Sequence, residues 1–143
     1  MQGYVAPLEA LTVGNDAFRK VLHTSSQMQL VLMALLPGQE IGGEVHATHD
    51  QFFRIEMGDG LIVIDGVQTK VAPGDGMIVP AGLRHNLTNT GTTPMRLYTI
   101  YAPPEHADQL EQGTKAMADG QSRVVPVAVA METTRKDMID EGS

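Results

Sequence analysis

The chain contains no cysteine and no tryptophan. Without cysteine there is no disulfide, and any metal it holds must be taken by nitrogen and oxygen donors. That usage is compatible with a reducing cytoplasm, the compartment expected here, and no secretory-type leader opens the sequence. Long apolar runs are missing too. The run 31–36 (VLMALL), even with Leu30 before it, falls far short of the ~20 residues of a membrane span. Basic side chains are few and scattered, ten Lys and Arg against seventeen Asp and Glu, which leaves a net charge of −7. Nucleic acid demands a basic footprint, so it is excluded as a partner. Six Phe and Tyr in all leave little material for a base-stacking surface.

What is present is a series of short β-rich runs broken by turn residues, the pattern of an all-β sandwich or barrel. Runs at 27–36, 51–56, 61–64, 67–71, 77–79, 85–90 and 95–101 read as strands. Asp65-Gly66 suits a two-residue type I′ hairpin between 61–64 and 67–71. A short helix or strand is expected at 8–11 and another β-prone run at 18–22. Beyond Pro104 the composition of 105–118 favours helix, with Gly113 as a weak point. The segment 124–131 (VVPVAVAM) is apolar and is expected to pack on the barrel or on a partner chain, and 132–143 is charged and expected to fray. At 143 residues, with no internal repeat, the chain is one domain: a barrel over 1–106 and an extension over 107–143.

Two stretches carry the polar residues of interest. In 38–58, Gly38 is followed after five residues by Glu44-Val45-His46, after four more by Gln51 and after six by Gly58. In 74–89, Gly74 is followed after five residues by Pro80-Ala81-Gly82, after two by His85 and after three by Asn89. Both spacings, and the phrases VPAGLRHNLTNTG and LYTIYAPPEH, resemble those of small single-domain bacterial cupins, a subgroup often labelled mannose-6-phosphate isomerase-like. The resemblance implies an all-β double-stranded β-helix, or jelly-roll barrel, that binds a divalent transition metal. Together with the apolar 124–131 segment, it also implies a homodimer.

The cupin pattern of His-x-His, Glu and His falls here on Glu44, His46, Gln51 and His85, so the resemblance implies those four as ligands. The carboxylate has moved to the first position and an amide stands where the glutamate is usual. Two His and one carboxylate suit Fe, Mn, Co, Ni or Zn, and an octahedral ion would keep two positions for water, dioxygen or substrate. Strand alternation would send Glu44 and His46 to one face. The competing reading is a metal-free, hydrogen-bonded polar cluster, costly inside an apolar barrel.

No catalytic residue is assigned outright; His49, Tyr98 and Tyr101 are the candidates. His49 stands either at the mouth as an acid or base, or as an exposed loop histidine. Tyr98 and Tyr101, three apart on a strand, face opposite sides, so one points inward. Phe53 shares the face of Gln51, while Arg54 points away. His23 and His106 are expected to be ordinary surface or interface residues. The glycines of both motifs, with Pro80 and Asn89, serve turns. Function is therefore expected to be metal-dependent chemistry on a small organic molecule, of isomerase, lyase or dioxygenase type, or non-catalytic binding or sensing of a small molecule. No phosphate loop, nucleotide fingerprint or clear nucleophile is present.

Overall fold

The computed structural model describes residues 2–123. The apolar 124–131 segment and the charged tail lie outside the described residues, as does whatever packing they make. The elements are α1 (Leu8–Val13), β1 (Arg19–Thr24), β2 (Gln29–Leu35), β3 (Asp50–Met57), β4 (Gly60–Ile64), β5 (Val67–Val71), β6 (Gly76–Val79), β7 (His85–Asn89), β8 (Met95–Ala102), β9 (Glu111–Gln112) and α2 (Lys115–Arg123).

The strands form two antiparallel sheets, one of six strands in the order β6-β3-β8-β2-β1-β9 and one of three in the order β5-β4-β7. Sequence alternation decides which side chains meet between them. Along β8 every second residue is buried, and β3 sends Gln51, Phe53 and Ile55 inward. Between the sheets Val31, Met33, Leu35, Phe53, Ile55, Ile62, Leu87, Met95 and Leu97 make one core. Each such side chain contributes roughly 1.5–3 kcal/mol on leaving water. At the β4–β5 turn Asp65 and Gly66 both have positive φ, 50° and 83°, as a type I′ turn requires. Gly58 also has a positive φ, 88°, and a Cβ there would lie 2.8 Å from the Met95 Cα, so the turn after β3 needs glycine twice over.

The chain after 105 differs from expectation. Helix begins only at Lys115. Before it, Glu111 and Gln112 pair with Lys20 and Arg19 and add an edge strand to the large sheet. Backbone bonds from Val21 to Leu110 and from Phe18 to Gly113 hold this stretch extended. Gly113 lowers helix propensity, and pairing with β1 supplies the backbone partners that a helix would otherwise provide.

α1 lies against β8 and β3 on the outer face of the large sheet. There Arg96 reaches Asp16 at 2.7 Å. The rest of that face carries a cross-strand row, Leu30–Ile100–Phe52–Ile78, each residue registered on the next.

Candidate metal centre

Four polar residues from three parts of the chain meet inside one end of the barrel. Glu44 and His46 lie outside any regular strand, so the condition under which strand alternation would send both to one face is not met. Instead Glu44 makes a single two-bond bridge with His85, the backbone N–H of each donating to the other's carbonyl at 2.9 Å. That bridge sets the two side chains together. Alternation survives without the strand: Glu44 is buried, Val45 exposed and His46 turned back inward. The Gly82 N–H donates to the His46 carbonyl at 2.9 Å and ties the two motifs a second time. Gln51 arrives from the start of β3 and is buried.

The ligand atoms of Glu44, His46 and His85 all lie within 4.8 Å of one another. Glu44 Oε1 is 3.2 Å from His46 Nε2 and 3.7 Å from His85 Nε2, and Gln51 Oε1 is 3.1 Å from His85 Nε2. The surrounding hydrogen bonds decide which atoms face the centre. Thr99 Oγ1 donates to the Phe52 carbonyl at 2.8 Å, so it must accept from Gln51 Nε2 at 2.9 Å. The amide of Gln51 is thereby turned, and its carbonyl oxygen points at His85. His85 Nδ1 lies 3.1 Å from the Leu83 carbonyl, which can only accept, so Nδ1 carries the hydrogen and Nε2 presents a lone pair. Three acceptors, Glu44 Oε1, Gln51 Oε1 and His85 Nε2, thus converge with no donor of their own between them. Glu44 Oε2 is buried and has no hydrogen-bond partner. Converging buried lone pairs are unfavourable unless a proton or cation lies between them. The residues therefore fit a divalent ion. Glu44, His46, Gln51 and His85 would hold it, with Thr99 and the Leu83 carbonyl orienting two of them from behind.

Electrostatics agree with that arrangement. Burial pushes the Glu44 carboxyl up, but the hydrogen bond from His46 and the positive charges of His46 and Arg19 outweigh it and hold the group ionised. Burial pushes His46 down, yet the Glu44 bond and the charges of Glu44 and Glu105 carry it above the usual histidine range. In the metal-free protein a proton shared between Glu44 and His46 takes the place of a cation. Burial, with a smaller push from His46, leaves His85 lowered, which favours the neutral, lone-pair form.

Around this centre the other candidates separate. Tyr101 points inward and is buried, its ring edge-on to His46 at 5.6 Å between centroids, and it hydrogen-bonds Gln51. Burial, reinforced by Glu44, pushes the Tyr101 hydroxyl far up, so it acts as a donor and stays protonated. Tyr98 faces the outer side against Phe52. Phe53 lines the centre, its ring 6.0 Å from that of His85. Arg54 turns outward to Glu56. His49 stands beside His46, 6.0 Å between ring centroids, and its side chain is only 15% exposed, so it is not an open loop histidine. Its Nε2 donates to the Pro104 carbonyl at 3.0 Å and lies 3.4 Å from Glu105 Oε1. His23 stacks on Tyr4.

His106 corrects the sequence reading. Expected as an ordinary surface or interface residue, it instead packs its ring edge-on against Tyr101 at 5.0 Å, and its Nε2 is buried with no hydrogen-bond partner. Burial and the nearby Arg19, His46 and His49 push it well below the usual histidine range, so it is neutral. Glu105, with Oε1 3.7 Å from His46 Nδ1, was also missed. Both are placed by Gln29. Its Oε1 accepts from the backbone N–H of Glu105 (3.1 Å) and of His106 (2.8 Å), and its Nε2 donates to the His106 carbonyl (2.7 Å). No periodicity marks 103–106, because that segment's place depends on a long-range anchor. Arg19 was overlooked although a signal existed. It has the parity of Val21 in a β-prone run, and it is 2% exposed.

Comparison with known proteins bears on the same residues. Residues 31–101 match the family model described as Cupin domain. The chain is 40% identical over 121 residues to the Bacillus subtilis protein YrkC, a match covering 80% of this chain and 65% of that protein, so it spans just under two thirds of that relative's length. The crystal structure of BH2720 from Bacillus halodurans superposes with a TM-score of 0.82 at 38% identity, covering 83% of this chain and 95% of that one. TT1209 from Thermus thermophilus superposes with a TM-score of 0.62 at 28% identity, over 69% of this chain and 96% of that one.

Proposed function

The chain belongs to the cupin domain family, and from that premise we propose that it is a metal-dependent enzyme acting on a small oxygenated organic molecule. The observation that carries the reading is the convergence of Glu44 Oε1, Gln51 Oε1 and His85 Nε2 beside His46 and an unpartnered Glu44 Oε2. Two histidines, one carboxylate and one neutral amide would hold a divalent Fe, Mn, Co, Ni or Zn ion and would leave it net positive charge. Such an ion supplies Lewis acidity, polarising a carbonyl or acidifying a hydroxyl bound to it.

The protein's own groups do the rest. Thr99 and Leu83 hold the Gln51 and His85 donors in place. Tyr101, held protonated, donates a hydrogen bond to an oxygen atom of the substrate. The pair His49 and Glu105 stands beside His46, and one of its members receives a proton from the bound molecule. The test is turnover by protein loaded in turn with each of the five metals, against hydroxy acids, keto acids, diketones, flavonols and sugar phosphates. We expect one metal-dependent product, and a drop of roughly 100-fold or more in kcat for Glu44→Gln. No product across the panel, together with a metabolite retained through purification, would replace this reading with that of a binding barrel.

We further propose that the protein is a homodimer formed through the outer row Leu30–Ile100–Phe52–Ile78. Ile78 is 69% exposed there, and a contiguous outward apolar row on a sheet favours burial against a second copy. Light scattering should give a dimer for the wild type at micromolar concentration and a monomer for Ile78→Glu. A monomeric wild type would sink the assignment.

A further inference from the structure

His46 is placed differently from the donors that stand on strands. His85 belongs to β7 and Gln51 to β3, and each has an outer hydrogen-bond partner, the Leu83 carbonyl at 3.1 Å and Thr99 Oγ1 at 2.9 Å. His46 lies outside any strand. The Gly82 N–H ties its carbonyl, a bond that does not fix how the imidazole is turned. The ring instead stands between two carboxylates. Glu44 Oε1 is 3.2 Å from Nε2, and Glu105 Oε1 is 3.7 Å from Nδ1, an ion-pair distance. A neutral imidazole that ligates through Nε2 carries its hydrogen on Nδ1, and a sheltered N–H needs an acceptor. Glu105 supplies the carboxylate oxygen beside that nitrogen. The His46 and Glu105 side chains are 9% and 11% exposed, so water screens the contact little.

The backbone around Glu105 is anchored, so this carboxylate is delivered to the site by the fold. Gln29 Oε1 accepts from the N–H of Glu105 at 3.1 Å and of His106 at 2.8 Å, which fixes the segment to β2. His49 Nε2 donates to the Pro104 carbonyl at 3.0 Å, which fixes it to the loop that carries His46. A carbonyl only accepts, so the His49 hydrogen is on Nε2, and that same nitrogen is 3.4 Å from Glu105 Oε1. One carboxylate oxygen therefore faces an N–H edge of two neighbouring imidazoles.

We propose that Glu105 is the positioning residue of His46, a carboxylate that holds the imidazole from behind, fixes Nδ1 as the protonated nitrogen and strengthens Nε2 as a metal donor. This rests on the metal reading above and adds to its site a residue from beyond both sequence motifs. Leu83, Thr99 and Glu105 then play the same part for His85, Gln51 and His46, each setting which atom of its donor faces the centre.

Zinc, which is diamagnetic, is the probe, competed at fixed pH against a chromophoric chelator with circular dichroism to verify folding. Glu105→Ala should bind zinc ~10–100-fold more weakly than the wild type. Glu105→Gln should recover most of that loss, because its amide oxygen also accepts a hydrogen bond. Nitrogen-15 NMR of the histidines in zinc-loaded protein supplies a readout that general loosening would not move. In the wild type His46 should carry its hydrogen on Nδ1 with Nε2 on zinc. Glu105→Ala should shift that Nδ1 resonance and speed exchange of its hydrogen with water. The His85 Nδ1 hydrogen, held by Leu83, should stay as it was and serves as the internal control. Wild-type zinc affinity in Glu105→Ala, or His46 bound to zinc through Nδ1, would each overturn the proposal and leave the metal centre standing. If Glu105→Ala does not fold, the wild-type spectrum decides: a His46 Nδ1 hydrogen protected from exchange supports Glu105 as its partner, and a fast-exchanging one overturns it. A wild type that takes up no zinc would overturn this inference and the metal reading together.

Discussion

His85→Ala should purify with its metal content reduced from about one ion per chain to near zero. Removal of an outer hydrogen-bond partner of a ligand costs ~10–100-fold in affinity, so loss of a ligand itself should cost more. Glu44→Gln makes the same point more conservatively. It keeps the shape of the side chain and the backbone bridge to His85 but removes the only carboxylate among the four donors. Elemental analysis of protein purified without added metal, with circular dichroism to verify folding, is the measurement. Equal stoichiometric metal in wild type and both variants would place the ion elsewhere, and a metal-free wild type would leave only the polar-cluster reading. Ligating imidazoles must be deprotonated, and Glu44 holds a proton on His46 more firmly than an isolated histidine would. Metal affinity should therefore fall as pH drops into the range where His46 protonates.

Gln29→Leu should be the most damaging single substitution outside the ligand set. Gln29 is fully buried, and its amide serves the backbone N–H groups of Glu105 and His106, the His106 carbonyl and the Thr24 hydroxyl. Leucine matches its bulk but bonds to none of them. Each buried backbone group left without a partner costs ~1–3 kcal/mol, so a loss of roughly 3–5 kcal/mol is expected. For a domain of this size that lowers Tm by on the order of 10–20 °C. The change should reach the site as well, since Glu105 and His106 depend on this anchor for their position. Denaturant titration checks the first effect and metal titration the second. A loss of stability below ~1 kcal/mol would show that the 103–106 segment is held by something other than Gln29.

Much of this was readable along the chain. The strands between 29 and 101 follow from alternating apolar residues and from Gly, Pro and Asp-Gly punctuation, which are local signals. The two motifs carry Glu44, His46, Gln51 and His85 in the same way, because their spacing is a property of the chain. Opposite parity of Tyr98 and Tyr101 was also legible, although which of them turned inward was not. That depends on which face of β8 meets the second sheet, and only packing decides it.

Other features had no local cause to read. Residues 105–118 have helix-forming composition, yet their first part is held extended by β1, a partner more than eighty residues away. His106 looks like a surface histidine until Gln29 draws its loop over Tyr101. Arg19 looks like one of a scattered few basic residues until β9 pairs with it and its side chain is buried.

The amino-acid sequence by itself determined the barrel, its turns and the identity of the four converging donors, since these rest on side-chain periodicity and spacing within short stretches. Only the tertiary structure decided which atoms of those donors face one another, which groups orient them, and that His106 packs against Tyr101 beside them. Those outcomes come from hydrogen bonds and charges acting between residues remote in sequence, where burial removes the water that would otherwise satisfy them.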